Sequence, residues 1–269
     1  LSRKGVGDAA GAIAKISGIS KQEGSSNVYV RGLGDRYLNT TMNGLSLPSN
    51  DVNKKNINLN LFSTDVIENV SVAKAYSSKF YGDFSAGNVN ISSKDYTGNG
   101  FIDFKAGTGF NTNAIGKNFV RSEGTGFFGY YGRYAHNPFA IILSHGIDPV
   151  NAGTPINVSY GGSAGKSFNF DNGSRLSFFL TGSFNNGYEY RNGNAIDYTL
   201  TEKKAFDAAE EFEYSTISTV MGSANYRIND ENSLKFTSLF INNSSDVVGY
   251  FGIDGTGRNR DAILDTDKG

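Results

Sequence analysis

From Phe101 onward, apolar and polar side chains alternate with a period of two, over runs longer than soluble strands usually reach. In Thr219–Ile228 one row is Val220, Gly222, Ala224, Tyr226 and Ile228, and the other is Thr219, Met221, Ser223, Asn225 and Arg227. Leu176, Phe178, Leu180, Gly182 and Phe184 repeat the pattern against Ser177, Thr181 and Ser183. Such a period places alternate residues on opposite faces of a strand. Runs of roughly 10–15 residues suit strands tilted across a membrane. No stretch approaches the ~18 apolar residues of a spanning helix, and the mean hydropathy is -0.36, which excludes a helical membrane protein and leaves a β-barrel open, because alternating strands average to neutral hydropathy.

Composition narrows the field further. The 269 residues include 34 Gly but only 4 Pro, with 13% aromatics, which suits many strands joined by turns and polar loops. Water-filled barrels and soluble β proteins share that balance. Absence of cysteine excludes a disulfide framework, thiol catalysis and Cys-ligated zinc. With 25 basic and 26 acidic side chains and no Lys/Arg block, nothing suggests a nucleic-acid binder held by phosphate contacts. The opening Leu1-Ser2-Arg3-Lys4, without Met or an apolar leader, reads as a mature or trimmed segment.

Two regions follow from the pattern: a small mixed α+β domain over 1–97, and the N-terminal portion of an antiparallel transmembrane β-barrel over 98–269. In the first, Asp8 is a plausible N-cap for a helix over Ala9–Ile16, with Gly18 in the C′ position. Short strands are expected at Val28–Val30, Val70–Ala73 and Gly87–Ile91, and polar turns at Gly32–Tyr37 and Ser46–Lys55. In the second, five strands are expected at about 101–110, 156–168, 174–186, 214–228 and 233–243. Tight turns at Asp171–Gly173 and Asn229–Asn232 alternate with long loops at 111–155 and 187–213, as in an outer-membrane barrel. Five open strands leave two unpaired edges, which hydrocarbon does not permit, so the chain is expected to continue past Gly269 or to be closed by another protein.

Residues 28–94 resemble the plug domain of TonB-dependent outer-membrane receptors. Val28-Tyr29-Val30-Arg31-Gly32 resembles that family's "IRG" strand, and Met42-Asn43-Gly44-Leu45 its "NG" turn. Phe62 through Lys74, with Tyr81-Gly82-Asp83-Phe84-Ser85-Ala86-Gly87-Asn88-Val89-Asn90-Ile91, resembles its "IERIEVLRGP…YG…GAIGGVINI" core. Ile16-Ser17-Gly18-Ile19 is similar to the end of its "ALKRVPGV" element. The wording Arg31–Tyr37 together with Gly82-Asp83-Phe84 resembles Bacteroidetes-type members. The sequence departs where the family has "RGP" and this chain has Lys74-Ala75-Tyr76, which removes an arginine from that position.

The resemblance implies a plug inside a barrel of roughly 22 strands, with ligand meeting the plug's outward apices. Carried over residue by residue, those are Gln22, Glu23, Gly24 and Ser25, then Gly34, Asp35, Arg36 and Tyr37, then Ser49, Asn50, Asp51 and Val52. Charge, hydrogen bonds and a ring from Asp35, Arg36, Tyr37, Asn50 and Asp51 would suit a polar ligand; as ordinary turn residues they would do none of this. Arg31 and Glu68 are costly to bury unpaired, and the resemblance gives them ion pairs holding plug to wall. The alternative for Arg31 is a solvated strand end.

Other motifs carry less. Gly161-Gly162-Ser163-Ala164-Gly165 fits the G-x-S-x-G pattern but lies in a two-period run with no helix after it. Gly165-Lys166-Ser167 falls one residue short of a phosphate loop. His136 and His145 show no metal-ligand spacing, and no metal or cofactor is implied. Phe127, Phe128, Tyr130, Tyr131 and Tyr134 form an aromatic cluster in the first long loop, suited to loop packing or to a ligand-facing or girdle role. The resulting expectation is an outer-membrane receptor, not an enzyme. It would import a scarce nutrient by plug movement driven by a TonB-type periplasmic energy transducer, whose coupling segment would precede Leu1. The ligand class stays open among small molecules, glycans and peptides. Alternatives are a plug–barrel scaffold within a larger assembly, with a surface lipoprotein or other outer-membrane subunits, and a β-rich adhesin or glycan binder.

Overall fold

The computed structural model describes residues 8–21, 28–49, 53–82, 85–130, 148–198 and 203–251. The N-terminal segment is a small α+β assembly. Asp8 caps α1 (Ala9–Ile13) by accepting from the Gly11 amide at 2.7 Å. The helix is shorter than expected: Ile16 N–H donates to the Ile13 carbonyl, an i→i+3 bond that tightens the last turn and ends it. Gly18 follows at φ 75, where a side chain would be strained.

A two-stranded ribbon pairs β1 (Ile19–Lys21) with β2 (Val28–Val30). A four-stranded sheet has the order β4-β3-β6-β5, from β3 (Leu38–Met42), β4 (Leu45–Ser46), β5 (Ile67–Ala73) and β6 (Gly87–Ser93). β3 runs parallel to β6, and β5 antiparallel to it. Asn43 and Gly44, at φ 51 and 85, make the tight β3–β4 turn that the Asn-Gly pair demands. Asn43 is held there by Ser93, whose amide donates to its Oδ1 at 3.0 Å. One face of this sheet buries Leu38, Met42, Val89 and Ile91 with Ile13 and Phe62 in a common core.

The rest is β-structure: β7 (Phe101–Gly109), β8 (Phe119–Arg121), β9 (Val150–Gly153), β10 (Asn157–Asn169), β11 (Arg175–Tyr198), β12 (Lys203–Arg227) and β13 (Ser233–Tyr250). A five-stranded sheet has the order β13-β12-β11-β10-β7, and β8 pairs with β9 inside the first long loop. The turn at Asp171–Gly173 closes with Phe170 and Ser174 bonded at 2.9 Å and Gly173 at φ 80. The expected loop at 187–213 is a correction: β11 and β12 run on to 24 and 25 residues. Their alternation continues there with tyrosines opposite charged groups, which reads as loop only if charge is taken to mean irregular backbone.

The chain divides into two compact units, one of Leu1–Phe104, Gly162–Gly182 and Thr219–Ile241, the other of Lys105–Gly161, Ser183–Ser218 and Asn242–Gly269. In the first unit the buried wall residues are odd-numbered: Ser177, Phe179 and Thr181 on β11, and Thr219, Met221 and Ser223 on β12. The even row is exposed, with Phe178, Leu180 and Val220 at 45–57%. In the second unit the buried residues are even-numbered: Phe184, Asn186, Tyr188 and Tyr190 on β11, Phe212, Tyr214 and Thr216 on β12. Tyr188, Tyr190, Phe212 and Tyr214 pack with Ala114 and Phe119 of the first long loop.

Candidate functional site

The apex after β2 is built by its backbone. Arg31 adopts φ 53 and Gly32 φ 80, which lets the Val30 and Leu33 amides and carbonyls bond reciprocally at 3.0 Å. A 3-10 turn, Asp35–Tyr37, follows. The Asp35 carboxylate accepts from the Lys55 amide at 2.7 Å, the Asn56 amide at 3.1 Å and the Asn56 side chain at 3.0 Å. Asn56 Nδ2 also reaches the Asp35 and Leu38 carbonyls at 2.8 and 3.1 Å. Asp35 is thus a structural latch between two turns, its oxygens occupied by donors of the chain itself. Asn56, only 8% exposed, is the half of the latch that the sequence did not single out; an asparagine in a polar turn carries no distinguishing signal.

Around this latch Arg36 and Tyr37 are exposed, Tyr37 by 46%. The Tyr37 carbonyl accepts from the Ala86 amide at 2.9 Å, tying the apex to the start of β6. A Cβ on Gly34 would lie 3.1 Å from the Tyr29 ring, so the chain approaches that ring closely here. Ser49 Oγ donates to the Asn56 carbonyl at 3.2 Å, adding a second turn to the cluster. Gln22, Glu23, Gly24, Ser25, Asn50, Asp51 and Val52 lie outside the described residues.

Arg31 and Glu68 are both exposed, and neither forms an ion pair among the described residues. The cation at the departed "RGP" position instead serves the turn between α1 and β1: the Lys74 ammonium donates to the Ser17 carbonyl beside Gly18. The charged contact with the wall falls on Asp95, just past β6, which pairs with Lys235 of β13 at 2.9 Å. Asn225 and Ser223 of β12 also reach Asp95, at 3.4 and 3.5 Å. Ser223 Oγ donates to the Lys94 carbonyl at 3.3 Å and Ser167 Oγ of β10 to the Tyr96 carbonyl at 3.2 Å. Segment 94–100 is therefore a strap fastened to three wall strands. A Cβ on Gly165 would lie 2.7 Å from the Tyr96 and Phe101 rings, so the strap needs glycine beneath it.

The second unit carries a charged patch on the odd row. Arg191 meets Glu211 at 2.5 Å, Glu189 at 2.6 Å and Glu213 at 3.0 Å, with Arg191 and Glu189 exposed and Glu211 and Glu213 half-buried. On the even row the Tyr190 hydroxyl donates to Glu210 at 2.5 Å, and this bond, aided by burial and the carboxylate charge, pushes its pKa up to about 12. The first long loop is fastened: Ser122 donates to Asp246 through Oγ at 2.6 Å and through its amide at 3.0 Å, and Tyr214 and Thr216 reach the Phe127 and Phe128 carbonyls. Phe127 and Phe128 pack on Phe184 with ring centroids 5.4 and 4.9 Å away. Tyr131, Tyr134, His136 and His145 lie outside the described residues. Gly161–Gly165 sits in the unbroken strand β10, so it makes no strand-to-helix nucleophile turn.

Residues 1–89, a third of the chain, match the family model of the TonB-dependent Receptor Plug Domain. No curated protein matches the chain. The matched family is one of receptors and transporters of the bacterial outer membrane, not of enzymes. The described helix, ribbon and four-stranded sheet are the architecture of that matched segment, and the β-sheet beyond it is consistent with part of a barrel.

Proposed function

We propose that the protein is an outer-membrane receptor of Bacteroidetes type that takes up a scarce nutrient by TonB-coupled movement of a plug formed by residues 1–97, inside a barrel that begins in 98–269. The carrying observation is inverted polarity. On the near ends of β10 to β12, the row covered by the N-terminal segment holds Ser167, Ser177, Thr181, Thr219, Ser223 and Asn225, with Phe179 and Met221 packed among them, while the uncovered row holds Phe178, Leu180 and Val220, among others. A soluble protein does the reverse; a barrel wall with a wet interior facing lipid does this. The edges of β7 and β13 then find partners in further strands, because hydrocarbon leaves no backbone group unpaired.

In this reading a polar ligand meets Arg36 and Tyr37 at the apex that the Asp35–Asn56 latch holds in place. Binding need not break the latch, since Asp35 is already saturated. A periplasmic energy transducer then draws on the plug, whose contacts with the wall combine the polar strap at 94–100 with apolar packing on Phe179 and Met221. The test uses the full-length protein with and without residues 1–97, reconstituted into liposomes. The deletion protein should insert as a heat-modifiable barrel that leaks small solutes, while the intact protein stays closed. A deletion protein that never inserts would refute the separation of plug and wall, and an intact protein that remains in water without detergent would refute the membrane reading.

A further inference from the structure

The exposed even row is corrugated. β7 presents Ile102 and Phe104 and β11 presents Phe178 and Leu180. On β13 the large exposed residues are Leu234, Phe236 and Phe240. Between them β10 presents Gly162 and Ala164, and β12 presents Gly222 and Ala224, the latter pair bounded along the strand by exposed Val220 and Tyr226. Strands lie ~4.8 Å apart, so ridges on alternate strands stand ~9.6 Å apart. Once the side chains on both ridges are given their van der Waals contact distances of ~4 Å, each furrow is about one hydrocarbon chain wide. Ridges and furrows together form a shallow, open concavity of about 880 Å³, lined mostly by apolar atoms.

One charge stands at its rim. Lys166 lines the concavity, is exposed, and lays its ammonium 5.0 Å from the centre of the Phe168 ring, on the side of the short Asp171–Gly173 turn. Among the described residues no carboxylate pairs with it. Phe168 and Phe170, 43% and 48% exposed, continue the same row toward the turn, as aromatic side chains do at a membrane interface. A lone ammonium at that level, above chain-wide apolar furrows, complements an anionic headgroup whose tails run toward the bilayer centre.

We propose that this face holds a resident anionic phospholipid of the leaflet next to the short turns, its phosphate on Lys166 and its acyl chains in the furrows over β10 and β12. The proposal rests on the membrane reading above. It goes beyond general lipid contact in requiring a preferred headgroup and a fixed place.

The test takes the full-length protein in nanodiscs holding equal phosphatidylglycerol and phosphatidylethanolamine, and reads the retained lipids by native mass spectrometry. Wild type should retain phosphatidylglycerol over phosphatidylethanolamine by about fivefold, the preference expected of one basic side chain near an anionic surface. Lys166→Gln should abolish the preference, Lys166→Arg should keep it, and Ala164→Phe should reduce total retained lipid. Heat-modifiability checks insertion of each variant. Equal retention of the two lipids by an inserted wild type, or a preference that survives Lys166→Gln, would overturn the proposal alone. A dimer that sheds lipid would assign the face to a second copy and overturn it too. Failure of wild type to insert would overturn the membrane reading and the proposal with it.

Discussion

The strap at 94–100 can be tested through Asp95 and Lys235. Their side chains are 24% and 30% exposed and 2.9 Å apart. At an effective dielectric of ~20 the bare attraction is roughly 6 kcal/mol, but desolvating both ions offsets most of it. Lys235→Met leaves the Asp95 carboxylate with only the long contacts from Asn225 and Ser223. An uncompensated, largely covered charge of this kind should cost about 2 kcal/mol. Asp95→Asn removes the charge instead, and Lys235 can turn back to water, so that loss should be nearer ~1 kcal/mol. Hydrogen exchange read by mass spectrometry on the peptide spanning 94–100 converts these into local opening. The peptide should exchange about 30-fold faster in Lys235→Met and about fivefold faster in Asp95→Asn. The double variant should be no worse than Lys235→Met, because the two changes act on one pair. If all three inserted variants exchange like wild type, the strap is held by something other than this pair. If the two single changes add, the residues act independently.

Four other outcomes follow from the same geometry. Asp35→Ala should lower the plug's thermal stability, costing about 2–3 kcal/mol through the lost bonds to Lys55 and Asn56, and should speed proteolysis within 53–58; an unchanged melting profile would contradict the latch. Arg36→Ala with Tyr37→Ala should leave that melting profile alone and weaken ligand capture by whole cells, which unaltered capture would refute. Glu210→Gln should bring one tyrosine of the 15 down from about 12 toward the ordinary value near 10, seen as one extra phenolate in a difference absorbance titration near pH 11. Because the Tyr190 pKa is raised in the folded state, its contribution is whole below pH 10 and is lost as pH rises through about 12. Ala224→Arg should cost the inserted barrel ~2–4 kcal/mol, whereas Ser223→Arg, beneath Lys94 and Asp95, should be tolerated much better once residues 1–97 are deleted.

What the sequence made legible was what local chemistry fixes. Asn43-Gly44 dictates a tight turn and Asp8 a cap, and both stand where expected; Gly18 is left-handed, but in the turn beyond a helix that stops at Ile13 and not at its C′ position. The near ends of β10 to β13 follow from a period of two with small and aromatic residues. β3 carries no strand signal in its own residues, since Asn39, Thr40 and Thr41 are polar, yet all three are buried between β4 and β6; parallel pairing with β6 supplies backbone partners that no local pattern announces. An acid in an exposed turn such as Asp35 carries no local sign of its partners, and only the fold brings Lys55 and Asn56 to it. Asp95 drew no attention for the same reason, its partner Lys235 lying far along the chain.

The change of buried row along β11 and β12 constrains how these strands can stand in a bilayer. Alternation is unbroken, since Leu180 and Gly222, then Gly187 and Ser215, then Arg191 and Glu211 keep one pairing register. The row that is exposed and apolar at Phe178, Leu180 and Val220 is therefore the row that becomes buried at Phe184, Tyr188 and Tyr214. In the first stretch nothing among the described residues covers it and lipid is the fitting solvent in the proposed reading; in the second it is covered by a loop held through Ser122, Phe127 and Phe128. A loop with its polar backbone cannot lie on the outside of a barrel in hydrocarbon. In the proposed reading the second stretch must then stand beyond the hydrocarbon core. The lengths agree: ~9–11 tilted residues cross the core, while β11 has 24. On that reading the surplus strand would be surface outside the hydrocarbon, with the exposed Arg191 on its odd row in water.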